Sequence, residues 1–310
     1  MITIYKSTDA GLEQIDEVVG GCWVHVVDPS TDEIERLISL GAPHDFVTYP
    51  LDIDERPRTE REDDGTLLVL IRIPFYQGEK SDIPYTTIPL GVILRDNFTI
   101  TICRWQNPVL QEFTSGRVRA FSTGKRYRFL LRILLSTANR FLAHLREINR
   151  NVDHLEDQLQ LSMRNKEVLE ILKYQKSLVY FTTALKSNEL MLERLQRTQI
   201  FRLYPDDEDL LEDVITENQQ AIEMTNISSH ILTSMMDAFA SIISNNLNGV
   251  MKFLASVTII LSIPTIVTSF FGMNVGLPLS QNPFAYLQII AIFTAIAGVV
   301  VYVFMKRNWF

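Results

Sequence analysis

The chain has 310 residues, 46% of them hydrophobic, with 29 basic against 37 acidic side chains and a net charge of −8. That balance excludes nucleic acid as a partner, because a phosphate backbone is held by a basic surface. The two cysteines, Cys22 and Cys103, lack the paired spacing of a zinc site and read as reduced thiols in a cytosolic region.

The opening residues, Met1-Ile2-Thr3-Ile4-Tyr5-Lys6, contain no basic stretch followed by an apolar core, so they do not read as a signal peptide. Residues 1–120 are expected to form an α/β domain. Trp23–Val27, Leu67–Ile73, Gly91–Leu94 and Thr99–Ile102 read as strands, and Asp28-Pro29-Ser30 and Asp96-Asn97 as turns. Thr31–Gly41 reads as a short helix. Residues 121–204 change to helical periodicity, with Phe129, Ile133, Leu142, Leu145, Leu159, Leu169, Val179, Leu185 and Leu195 among many Lys and Arg. After a break at Leu203-Tyr204-Pro205, residues 205–271 are expected to form one stalk helix that continues into a membrane span, on the order of 100 Å if unbroken. Pro264 is a candidate kink.

The end of the chain is a hairpin of two uncharged runs, Phe253–Phe271 and residues 284–305, joined by an uncharged loop over 272–283 and followed by a basic tail, 306–310. Each run is about 20 residues, enough to cross a bilayer core of roughly 30 Å. Lys252 precedes the first and Lys306 and Arg307 follow the second, so both termini are expected in the cytoplasm of a multi-pass inner-membrane protein. Two helices alone enclose no pore.

Thr258, Ser262, Thr265 and Ser269 fall on one face of the first span. The same spacing leads back through Ala255, Met251, Asn248, Ser244, Ser241, Asp237, Ser234, His230, Ile227, Glu223, Gln220 and Thr216 to Asp213. A solvated face explains the soluble part of this stripe, but lipid offers nothing to solvate its continuation. Hydroxyls bonded back to their own carbonyls, or helix-to-helix hydrogen bonds, are the plainer explanation of the membrane part. Continuity with the soluble stripe favours a water-lined axis shared by several copies. No Lys or Arg occurs between Arg202 and Lys252, whereas Asp206, Glu212, Asp213, Glu223 and Asp237 do. Such a lining concentrates cations.

Catalytic signatures are missing: there is no phosphate-binding Gly-rich loop, no GxGxxG, no HExxH and no motif for an organic cofactor. The chain does not read as an enzyme. His25, His44, His144 and His154 read as ordinary core or surface residues, and His230 alone lies on the stripe. Gly272 and Gly276 have helix-packing spacing but fall in the loop.

Gly272-Met273-Asn274, directly after an aromatic-ended membrane helix and before a second C-terminal span, resembles the signature of the CorA family of divalent-cation channels. Asn248, Met251 and Leu254 resemble the family's Asn-x-x-Met-x-x-Leu gate segment, the Lys306–Phe310 tail its basic, Trp-containing ending, and Trp23 to Pro29 with Arg56-Pro57 landmarks of its N-terminal domain. The resemblance implies a funnel-shaped homopentamer in the lipid bilayer, with the first membrane helix of each copy lining the pore. It implies a filter of Gly272, Met273 and Asn274 for hydrated Mg²⁺, a gate of Asn248, Met251 and Leu254, and a regulatory Mg²⁺ at Asp213. Mg²⁺ releases its water reluctantly, so amide and carbonyl oxygens that bond the hydrated ion avoid the dehydration cost. Co²⁺ and Ni²⁺ fit the same reading.

Three departures stand out. Phe271 replaces a common Tyr, and the loop Val275-Gly276-Leu277-Pro278-Leu279 supplies no acid to capture the ion. The family's inter-subunit sensing site pairs an acid of the N-terminal domain with the stalk Asp, and Tyr49 occupies the acid's position here. The alternatives are the family's zinc-transport branch, with proton coupling, and a membrane-anchored sensor or scaffold.

Overall fold

The computed structural model describes every residue except 10, 117, 119, 120, 163, 164, 199, 200, 202–204, 274, 275, 277–283, 308 and 310. The strands expected from the sequence lie in one seven-stranded sheet. It comprises β1 (Ile2–Thr8), β2 (Gly11–Ile15), β3 (Cys22–Val27), β4 (Arg58–Arg61), β5 (Leu67–Tyr76), β6 (Tyr85–Leu94) and β7 (Thr99–Cys103), in the order β2-β1-β3-β7-β6-β5-β4. All neighbours are antiparallel except the β3 and β7 pair. β1, β2 and β4 escape the sequence reading because they mix polar and apolar residues, as strands at or near a sheet margin do.

The inner strands are apolar on both faces because helices cover both. On one face Val24, Val26, Leu68, Ile93, Ile100 and Ile102 pack with Leu37 of α1 (Thr31–Ser39) and with Phe46 and Val47 of α2 (His44–Thr48). Ser30 caps α1, its hydroxyl accepting from Glu33 N–H while the Glu33 carboxylate accepts from Ser30 N–H. On the other face Trp23, Val69, Ile71, Leu90 and Val92 pack with Phe113 of α3 (Pro108–Thr114) and Phe129 and Leu130 of α4 (Arg126–Ser162). Met191 and Leu195 of α5 (Asn165–Arg197) and Leu211 and Val214 of α6 (Pro205–Phe271) complete that core. Leu169 and Val179, apolar at helical spacing, nevertheless lie exposed on α5.

Prolines within the sheet sit where no ladder hydrogen bond is owed. Pro89 of β6 stands opposite Arg72, beyond the last β6-to-β7 pair, and Pro74 of β5 lies past the end of β4. Beyond Leu70 the edge of β5 has no strand beside it. There Asn188 of α5 acts as a substitute strand, accepting from Arg72 N–H (3.0 Å) and donating to Arg72 C=O (2.8 Å). Gly91 has no side chain because a Cβ would collide with the Pro50 ring.

The chain divides into two compact units, Met1–Thr233 and Ser234–Phe310. The first holds the sheet, α1 to α5 and the start of α6. Arg128 of α4 anchors that start, its Nε donating to Asp207 Oδ1 (2.5 Å) and a terminal nitrogen to Asp206 Oδ2 (3.3 Å). Asp207 is buried, and its hydrogen bond is the main influence raising the Arg128 pKa. The second unit holds the end of α6 and α7 (Ala285–Lys306), both long and apolar enough to cross a membrane.

Candidate ion pathway

Within the first unit α6 has two opposite faces. Leu211, Val214, Asn218, Ala221, Thr225, Ser228 and Leu232 are buried. Their polar members are paired: Asn218 donates to Leu185 O (3.3 Å), Thr225 to Ala221 O (2.6 Å) and Ser228 to Asn149 Oδ1 (2.7 Å). Asp213, Thr216, Gln220, Glu223, Ile227 and His230 lie about half a turn away, at 100° per residue, and are exposed. Among the described residues no cation pairs with Asp213 or Glu223. Their charge is therefore uncompensated, and a row of like charges draws counter-ions to that face.

The second unit repeats the asymmetry by other means. On α6 the less exposed positions include the run Ser256, Ile260, Ile263, Val267 and Phe271, beside Val257, Ser262 and Pro264, and on α7 the run Ile289, Phe293, Ala297, Val301 and Phe304, beside Val300. Each set recurs at three- or four-residue spacing, so each helix has one sheltered face. Among the described residues the unit consists of these two helices. Thr258, Thr265 and Ser269 are exposed and Ser262 partly so, about half a turn from the sheltered face of α6. The hydroxyl stripe therefore lies opposite the sheltered face of its own helix. Asp237, Ser241, Ser244 and Asn248 are likewise exposed, as are Met251 (59%) and Leu254 (52%).

The hydroxyls are oriented by their own helix. Thr258 donates to Leu254 O (2.8 Å), Ser262 to Thr258 O (2.7 Å) and Thr265 to Leu261 O (3.2 Å). Once its proton is given to the backbone, a hydroxyl offers only lone pairs outward. Pro264, inside α6, also has no N–H for the carbonyl one turn back. The face is consequently rich in acceptors and poor in donors. It suits a hydrated cation, whose water shell points its hydrogens outward, and it is ill matched to a hydrated anion.

At the outer end of α6, Gly272 N–H donates to Thr268 O (2.9 Å) and Met273 N–H to Phe270 O (3.4 Å), closing the last turn. Met273 is exposed, while Asn274, like the loop residues 275 and 277–283, lies outside the described residues. The sequence reading missed the sheltered face of α6, whose signal is the recurrence of Ser256, Ile260, Ile263 and Val267 opposite the stripe. It also missed what surrounds Tyr49, where the Arg58 guanidinium lies 4.4 Å from the ring centre and is ion-paired with Glu55 and Glu60.

Comparison with known proteins places these features in a family. The family described as CorA-like Mg²⁺ transporter protein matches residues 19–307. The cobalt/magnesium transport protein CorA of Methanocaldococcus jannaschii is 30% identical over 299 residues, covering 93% of this chain and 90% of that protein. The magnesium transport protein CorA of Escherichia coli K12 is 24% identical over 320 residues, covering 98% and 96%. The complete structure of the CorA magnesium transporter from Methanocaldococcus jannaschii superposes with a TM-score of 0.86 at 26% identity, covering 100% of this chain and 99% of that one. With a match along nearly its whole length, this membrane protein belongs to the CorA-like Mg²⁺ transporter family.

Proposed function

We propose that this chain moves Mg²⁺, with Co²⁺ and Ni²⁺ as companion substrates, through a homopentameric pathway lined by α6. The observation that carries this reading is the acceptor stripe of Thr258, Thr265 and Ser269, exposed, with the partly exposed Ser262, opposite the sheltered face of α6. Several copies arranged about an axis give that stripe a hydrated lumen. The copies sit in the inner membrane with both termini in the cytoplasm, following the cations that flank the spans.

In this reading Asn274 and the backbone of Gly272 and Met273 receive the hydrated ion at the outer mouth, bonding its water shell rather than stripping it. Hydroxyl oxygens then pass it from turn to turn. Met251 and Leu254 form an apolar ring that blocks conduction by dewetting, with Asn248 as the polar constriction beside it. On the cytosolic side Ser244, Ser241, Asp237, His230 and Glu223 line the axis, and Asp213 is the regulatory Mg²⁺ ligand.

The test uses purified protein in liposomes loaded with a Mg²⁺-sensitive dye, after native mass spectrometry has counted the subunits. Five subunits and uptake that falls at least tenfold in Thr258→Val/Ser262→Ala/Thr265→Val are expected. A stable monomer that transports normally, or unchanged uptake in an intact pentameric variant, would overturn the pore reading.

A further inference from the structure

Three cations flank the two spans of the second unit. Lys252, Lys306 and Arg307 are exposed, and among the described residues none forms an ion pair. No acidic residue follows Asp237 in the sequence, so nothing in either span or the loop neutralises them. The 20 residues Lys252–Phe271 rise about 30 Å, and the 22 residues of α7, Ala285–Lys306, about 33 Å. Both lengths match a hydrocarbon core of roughly 30 Å, so in a bilayer crossed by both spans the three cations belong to the same headgroup region.

The end of the chain holds two of them there. Trp309 stacks on Phe304 with ring centroids 5.0 Å apart and planes 6° from parallel, and its N–H donates to Phe304 O (3.0 Å). The chain after α7 thus folds back on the helix, so that Lys306 and Arg307 stay at its end. An indole at this depth is itself suited to the headgroup region. The C-terminus of α7 supplies only about half a negative charge, too little to neutralise Lys306 and Arg307.

We propose that this belt is a binding surface for anionic phospholipid headgroups of the cytosolic leaflet, their phosphates taken by Lys252, Lys306 and Arg307. The proposal rests on the two spans crossing a bilayer. Its chemistry is charge complementarity: uncompensated cations at the depth where lipid phosphates lie, with an aromatic ring beside them. A lipid phosphate also arrives with its acyl chains already against the apolar helices, which free phosphate does not.

The test titrates the full-length protein in neutral detergent with phosphatidylglycerol or phosphatidylcholine and reads retained lipid by native mass spectrometry. Phosphatidylglycerol should be retained preferentially. Lys252→Gln should weaken that retention about fivefold, and Lys306→Gln/Arg307→Gln about twenty-five-fold, at roughly fivefold per cation. Each variant keeps at least one cation to orient the spans, and Lys252→Arg should bind as the native chain does. Equal retention of both lipids, or unchanged preference in the Gln variants, would overturn the proposal. So would equal competition by glycerol phosphate, which would identify a soluble phosphate ligand. The parent reading fails separately, if alkaline carbonate strips the protein from membranes without detergent.

Discussion

Replacing Asn188 by Ala should cost about 2–4 kcal/mol, far more than the size of the deletion implies. The side chain is 4% exposed and serves the backbone of Arg72 twice, as acceptor at 3.0 Å and donor at 2.8 Å. The β4 ladder ends at the Arg58 and Leu70 pair, and on its other side Arg72 faces Pro89. No other strand reaches these groups. Alanine would leave one N–H and one C=O without partners, at about 1–3 kcal/mol each when buried. Partial exposure of Arg72 lets water recover some of that, hence a total below the upper limit. Asn188→Asp should be at least as damaging, since it keeps the acceptor but sets a carboxylate oxygen against Arg72 C=O. Urea unfolding of the detergent-solubilised protein, followed by tryptophan emission, reads the effect. Trp23 is fully buried in the same sheet, with its Nε1 donating to Thr101 Oγ1 (2.8 Å). An Asn188→Ala transition within about 0.5 kcal/mol of the native protein would refute the idea that α5 completes the sheet edge.

Asn274→Ala should abolish Mg²⁺ uptake by proteoliposomes while the oligomer persists, because it removes the proposed filter amide and little else; native-level uptake would discard the assignment. Mg²⁺ should inhibit currents from the cytosolic side weakly, since Tyr49 supplies no carboxylate and the nearby Glu55 and Glu60 are both engaged by Arg58. Tyr49→Asp should strengthen that inhibition, and strong native inhibition lost in Asp213→Ala would show that the site works without the missing acid. His25, whose Nδ1 lies 3.2 Å from Thr101 Oγ1, has its pKa pushed down to about 4, chiefly by burial and secondarily by the N-terminal ammonium. A lowered histidine pKa means that the unfolded chain takes the proton first, so this stability is full above about 6.5 and is lost as pH falls towards 4. The ring is partly exposed, so the loss should be about 2 kcal/mol rather than the full ~3 kcal/mol. His25→Gln should narrow the gap between urea midpoints at pH 7.5 and pH 4.5, and an undiminished gap would place the acid sensitivity elsewhere.

Sequence by itself determined the features that are local in the chain. Helix α6 begins at Pro205 and ends at Phe271 because a proline with following acids starts it and Gly272 stops it. The spans follow from their length and lack of charge, and the stripe from Asp213 to Ser269 from helical spacing alone. The Gly272-Met273-Asn274 resemblance points to the family from a local signature alone, as the match over residues 19–307 bears out. Tertiary structure decided what depends on residues far apart in sequence. Nothing near Asn188 says that it will bond Arg72, more than a hundred positions away, because the need arises only where β4 ends beside β5. Nor does the composition of α6 say which polar residues are buried. Asn218 and Ser228 are as polar as Gln220 and His230, yet α4 and α5 supply partners to the first two and nothing covers the others. The uncovered side of α6 in its membrane part was settled in the same way: spacing defines two faces, and only the folded structure shows which of them is left exposed.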